Sequence, residues 1–302
     1  MTAMTTTLES TPLTCRKSED GIVSIILESL ERPVVILDHD LLGRLDTTLD
    51  VLAESMDTQP VTGVLLRSDC PRVFVAGADL REIDDLDDQS LLEYLAYGSS
   101  VLAKLAALPC STVACIDGAT LGGGLEIAMH CDGLIASTVN AKGKPYPIGL
   151  PECGLGLLPG WGGTQMLPAR IDPFTAIRSI IDGTTNMSTE PPVGLLDVVV
   201  DTPDDIEDAA VDWIRSRSEM TRTDGVPRCL NDKHPGVMQS ALERIHDEQV
   251  DTAEAEAVVN AIETGLREGF QAALLSEQRH LVSLRSTETT RARLEAFFAK
   301  QS

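Results

Sequence analysis

The 302-residue sequence predicts an α/β body followed by an all-helical tail. Short Val-, Ile- and Leu-rich runs alternate with longer segments of helical spacing as far as about residue 200, the pattern of repeated βα units. From about residue 203 the strand signal stops and helix follows helix. These two observations place a boundary near residue 200. The body spans 20–200, the helical region 201–302, and residues 1–19 read as a disordered tail.

Taken in order, "GIVSIILES" (21–29) and "PVVIL" (33–37) read as strands, and 40–57 carries helical spacing. "TGVLLRS" (62–68) is the next strand and leads into "DCPRVFVAGADLREI" (69–83). The segment 84–108 has an acidic entry and then a long helix. "STVACIDGAT" (111–120) is a buried strand and a turn, "LGGGLEIAMHCD" (121–132) opens a helix, and "DGLIAS" (132–137) is a strand. Helical patterns then cover 204–217, 236–248, 255–285 and 289–300. No internal repeat or low-complexity block is found.

Composition narrows the function. The net charge of −23 argues against nucleic acid and anionic membrane surfaces as partners. Seven cysteines, at 15, 70, 110, 115, 131, 153 and 229, form no C-x-x-C pair and no metal-binding spacing, as expected of reduced thiols in the cytoplasm. The polar opening stretch does not read as a secretory signal, and no run approaches the roughly 20 apolar residues of a membrane span. "GLGLLPG" (154–160) begins like a dinucleotide fingerprint, but Pro159 displaces the third glycine and no early strand precedes it. Phosphate-loop, nucleophile-elbow and H-E-x-x-H patterns are missing, and His130 reads as a packed histidine.

Two places put backbone amides at a sharp turn after a strand: "VAGAD" (75–79) and "LGGG" (121–124). Glycine permits close approach to the main chain, and a helix start favours negative charge. Two amides aimed at one point would form an oxyanion hole. Glu126 lies within the first turn after the glycines, and Glu152 lies in a Pro- and Gly-rich loop before a helix that begins at Gly162 or Gly163. Each feature alone reads as packing or as a solvated charge. Together, two carboxylates beside an amide pair suit a reaction needing both a general acid and a general base.

"FVAGADL" (74–80), "IDGATLGGGLEIAMHCD" (116–132) and "GLPECGLGLLPGWGGTQMLPARI" (149–171) resemble, in order and spacing, the crotonase superfamily of enoyl-CoA hydratases and isomerases. The tail from 265 to 298 is similar to the end of the hydratase half of multifunctional fatty-acid oxidation enzymes. The resemblance implies a spiral of ββα units with a helical C-terminal region, assembled as a homotrimer or dimer of trimers. It puts the oxyanion amides on Ala78 and Gly123 and the catalytic pair on Glu126 and Glu152. Ala76, Asp79, Leu80, Arg81, Gly122, Pro151 and Gly160 would contact substrate. Leu91, Leu92, Leu95 and Tyr97 would border the acyl chain, and Phe298 or Lys300 would reach a CoA in a neighbouring subunit. The implied reaction is reversible hydration of 2-enoyl-CoA to 3-hydroxyacyl-CoA, with no metal and no cofactor beyond the coenzyme A of the acyl-CoA substrate. A Δ3,Δ2-enoyl-CoA isomerase and a non-catalytic acyl-CoA-binding or assembly subunit stand as alternatives. Two prolines in "STEPPVGLLDVVV" (188–200) and Cys153 beside Glu152 depart from the common pattern.

Overall fold

Runs such as "IVSIIL", "GVLLRS" and "STVACI" have almost no polar face, so they need cover on both sides. In a computed structural model, which describes residues 10–30, 32–217, 225–231, 235–248 and 250–300, they lie in the middle of a six-stranded sheet. The chain opens with β1 (Cys15–Lys17), β2 (Ile22–Leu27) and α1 (His39–Met56). It then repeats a pattern of two strands and a helical segment. β3 (Gly63–Ser68) and β4 (Val73–Val75) precede α2 (Leu80–Asp85) and α3 (Asp88–Ala107); β5 (Ser111–Ile116) and β6 (Ala119–Leu121) precede α4 (Gly123–His130). β7 (Gly133–Ser137) and β8 (Pro147–Gly149) precede a 3-10 turn at Glu152–Leu155, α5 (Gly163–Arg170) and α6 (Pro173–Asp182). β9 (Thr185–Met187), β10 (Val198–Val200) and α7 (Ile206–Arg215) follow, then α8 (Pro235–Asp247), α9 (Ala253–Glu268), α10 (Phe270–Arg285) and α11 (Glu288–Ala299).

The two strands of each repeat go to different sheets. The larger sheet runs β1-β2-β3-β5-β7-β10 and is parallel except for β1; the smaller runs β4-β6-β8-β9 and is parallel except for β9. This is a spiral of ββα units, the crotonase fold. Side chains alternate across the larger sheet. Val64, Leu66, Ala114 and Ile116 join the main core, while Leu65, Val113, Cys115 and Ile135 meet Ile206, Ala210, Trp213 and Ile214 from the α7 side. No helix among the described residues is long and apolar enough to cross a membrane.

Three expectations need correction. Residues 10–19 are not a disordered tail, because β1 pairs with β2 and Leu13 is buried; residues 1–9 lie outside the described residues. "PVVIL" forms no strand of its own. It makes a single bridge, Leu37 to Ala78, and its backbone instead holds the 76–77 turn: Val35 O accepts from Ala76 N at 2.8 Å and Leu37 N donates to Gly77 O at 2.9 Å. Pro33 has no N–H with which to extend a ladder. Finally, α7 lies past residue 200 yet packs on the larger sheet, so the body extends beyond the sequence break.

Candidate active site

The three consecutive glycines each answer to a different neighbour. Gly122 has φ +53°, and a Cβ there would lie 2.7 Å from Glu152 Oε1. A Cβ on Gly123 would lie 2.6 Å from Trp161 Cζ3 and 3.3 Å from the Ala78 nitrogen, and one on Gly124 would strike the Val75 carbonyl. These residues thus let the Glu152 carboxyl, the 76–78 turn and β4 close in on the start of α4. Gly77, at φ +114°, breaks the extended run between Ala76 and Ala78. Among the described residues no acceptor takes the Ala78 or Gly123 N–H.

The two turns line a cavity of about 130 Å³. Of the residues expected at the site, Ala76, Ala78, Leu80, Gly122, Gly123 and Glu126 line it from the two strand-to-helix turns and the first turn of α4, and Pro151, Glu152 and Gly160 from the segment between β8 and α5. The structure therefore brings together the amide pair and both carboxylates. Asp79 and Arg81 are the exceptions, since neither lines the cavity. Asp79 caps α2, accepting from Arg81 N at 2.9 Å, and pairs with Arg32 at 2.7 Å. Against the burial that pushes it up, Arg32 and the α2 amides hold its carboxyl below the usual range. The Arg81 guanidinium lies 4.9 Å from the Phe298 ring centre.

Leu95 lines the cavity, but Leu91 is core and Tyr97 Oη donates to Asp46 at 3.1 Å. Leu92 packs at the edge of the core and is not part of the lining. At the C-terminus Phe297 lines the cavity of its own chain; Phe298 and Lys300, expected to reach a neighbouring subunit, do not. Sequence reasoning also missed Ile83, Trp161 and Leu281. Trp161, directly before the Gly162–Gly163 pair, could have been singled out as a bulky residue among glycines. No comparable signal marks Leu281, one apolar position among many on α10.

The two carboxylates are held differently. Glu126 is 2% exposed, and its Oε1 accepts from Trp161 N and Gly163 N, both at 2.8 Å. Burial lifts its carboxyl to about 7, against the pull of the Gly163, Trp161 and Gly160 amides. The Glu152 carboxyl has no such support: its Oε2 is buried and makes no hydrogen bond among the described residues. Burial first, then the nearby Glu126 and Glu277 charges, push it far above the ordinary carboxylate range. An unpartnered buried oxygen costs about 1–3 kcal/mol, and such exceptions often mark functional positions. His130, on the same helix, is kept neutral by burial, which lowers it to about 4; its Nδ1 lies 2.9 Å from Glu126 O. Burial likewise pushes the Cys153 thiol up, as for a small apolar residue.

An amide pair, two enclosed carboxyls of different proton affinity and apolar walls define a site for acid–base chemistry on an activated carbonyl compound. Residues 24–225 match the enoyl-CoA hydratase/isomerase family, and the chain belongs to that family. Solved structures share its fold. An enoyl-CoA hydratase from Geobacillus kaustophilus is 25% identical over 96% of this chain and 94% of its own, with a TM-score of 0.60. One from Bacillus anthracis is 23% identical, covering 95% and 96%, with a TM-score of 0.59. The human mitochondrial Δ3-Δ2-enoyl-CoA isomerase is 21% identical, covering 96% and 97%, with a TM-score of 0.65.

Proposed function

We propose that this chain is an enoyl-CoA hydratase, adding water reversibly across the double bond of a 2-enoyl-CoA. The observation that carries this reading is the pair of glutamates, Glu126 and Glu152, facing one cavity that also holds the Ala78 and Gly123 amides. Moving a double bond needs one carboxyl to carry a proton between carbons. Adding water needs a base for the water and an acid for the carbon, and two carboxyls are present.

The roles follow from the surroundings. The thioester oxygen accepts from the Ala78 and Gly123 N–H groups, which stabilise the enolate charge as it develops; one such donor is worth roughly 3–4 kcal/mol in other enzymes. Glu126, steadied by two amides, is the more readily ionised of the pair and takes a proton from water as the water oxygen bonds to C3. Glu152, whose enclosed carboxyl keeps its proton, delivers it to C2. Water is thereby split between C3 and C2, and proton exchange between the carboxyls resets the pair. Leu80, Ile83, Leu155, Leu158 and Phe297 provide an apolar surface for the acyl chain.

The test is loss of conjugated-thioester absorbance with crotonyl-CoA and longer 2-enoyl-CoAs, and identification of the product. Formation of 3-hydroxyacyl-CoA, abolished in both Glu126→Gln and Glu152→Gln, supports the reading. Conversion of 3-enoyl-CoA to 2-enoyl-CoA without hydration would replace it with an isomerase. Acyl-CoA binding without turnover would make the chain a binding subunit.

A further inference from the structure

A third glutamate, far from the other two in sequence, holds the same turn as Glu126. The chain from Trp161 to Thr164 enters α5, and the first N–H groups of a helix have no partner inside it. Gly162, the residue before α5, has no side chain to cap them. Four consecutive amides are shared instead between two distant carboxylates. Trp161 N and Gly163 N donate to Glu126 Oε1, on α4. Gly162 N donates to Glu277 Oε2 at 2.7 Å and Thr164 N to Glu277 Oε1 at 3.0 Å, both on α10. The Thr164 hydroxyl also donates to Glu277 Oε1. The neighbouring Gln278 reaches Ser99 Oγ at 2.8 Å and Gly160 O at 3.4 Å from the same helix.

The amides alternate. Those at 161 and 163 go to Glu126, and those at 162 and 164 go to Glu277. Holding one pair therefore fixes the direction of the other. Glu277 is fully buried and does not line the cavity, so its hydrogen-bonded link to the site runs through this turn.

We propose that Glu277 is a positioning residue for hydration: it locks the Trp161–Thr164 turn so that two amides are aimed at Glu126 Oε1. The inference rests on the hydratase reading. Burial, then the Glu126 charge, lifts the Glu277 carboxyl to about 8, so the turn's second acceptor sits in the same low-dielectric enclosure as the catalytic pair. The Glu126 charge raises both Glu277 and Glu152, and the Glu277 charge adds to the rise at Glu152.

The test is a double-mutant cycle on the full chain. Glu277→Gln keeps the size but sets an N–H₂ group against the Gly162 N–H, or against Thr164, so the turn must rotate. The expected result is a fall in kcat of about 30-fold with KM within about threefold of wild type, as for a small misplacement of a catalytic group. In a Glu126→Gln background the same change is expected to cost less than about twofold, because the group it positions is already gone. An equal loss in both backgrounds makes Glu277 merely structural and overturns the proposal, as does a kcat equal to wild type. Should Glu277→Gln fail to fold, Thr164→Val removes the hydroxyl that donates to Glu277 and accepts from Gln165 Nε2, leaves the Thr164 amide in place, and is expected to lower kcat about fivefold; an unchanged kcat there also overturns it. Absence of hydration by the wild-type chain instead removes the functional reading itself.

Discussion

Two helix starts in this protein are built from the same residues and put to opposite use. α4 begins at "GGGLE" and α5 at "WGGTQ"; each is entered through a glycine of positive φ, +53° at Gly122 and +101° at Gly162, and neither has a side-chain cap of its own. At α4 the Gly123 amide is left open towards the cavity. At α5 every amide from Trp161 to Thr164 is taken by a carboxylate from another element. A helix start exposes donors and positive potential, and the surroundings decide whether that potential meets a ligand or orients a protein carboxylate. In the proposed mechanism the open start faces the developing enolate oxygen, and the closed start holds the base.

The largest effect is expected of Glu126→Gln, which removes the group that α5 orients. The expected loss is about a thousand-fold in kcat with substrate affinity retained, measured by hydration of a 2-enoyl-CoA. A loss below tenfold would mean the closed start serves packing alone. Next is Gly123→Ala on the open start. Its methyl meets Trp161 and the Ala78 nitrogen, and a fall of about a hundred-fold in kcat/KM is expected from misaligned oxyanion donors. Gly162→Ala breaks the closed start by a different route, through φ +101° and a clash with Phe270. It should cost about 1–3 kcal/mol of stability by chemical denaturation.

Proton linkage sharpens the contrast. Glu126, as base, must be ionised, so kcat/KM should rise through about pH 7 and fall again at higher pH as the more strongly raised Glu152 loses its proton. A rise centred near the ordinary value of 4.5 would exclude Glu126 as the base in this enclosure. Stability carries a matching sign. Glu126 and Glu277 bind protons more tightly folded than unfolded, so stability is greatest below 4.5 from these groups and is lost as pH rises to about 8. His130 acts oppositely, but only between about 4 and 6.5. Between pH 6.5 and 8 the melting temperature should therefore fall, and Glu277→Gln should flatten the slope. The smallest effect belongs to Asp79→Ala, away from both helix starts in function: loss of the α2 cap should cost about 1 kcal/mol and leave kcat within about threefold.

What could be read from the sequence follows the distance over which each feature is made. Gly123, Glu126, Glu152 and Ala78 sit in short runs whose glycines and prolines announce sharp turns, and the structure places all of them on one cavity. Asp79 and Arg81 lie in the same runs, yet local needs took Asp79 for a helix cap and turned Arg81 towards Phe298. The long strands were visible as apolar runs, whereas β4, β6, β8 and β9 have three residues each, too few to show a period. Phe297 and Phe298 are adjacent aromatics on the last helix, and only its packing decides which one turns inward. Glu277 was invisible for the plainest reason. It lies 115 residues from Gly162, in a helical run of ordinary composition.

That separation also sets an order in time. During synthesis Glu126 and Glu152 are made long before α10, and the Gly162 and Thr164 amides must wait for an acceptor more than a hundred residues downstream. Contacts of such long range close late, because the intervening chain must first give up its freedom. On this argument the Trp161–Thr164 turn gains its second acceptor only once α10 has docked. A nascent or truncated chain lacking α10 would hold Ala78, Gly123, Glu126 and Glu152 and leave the Gly162 and Thr164 amides without their Glu277 acceptor.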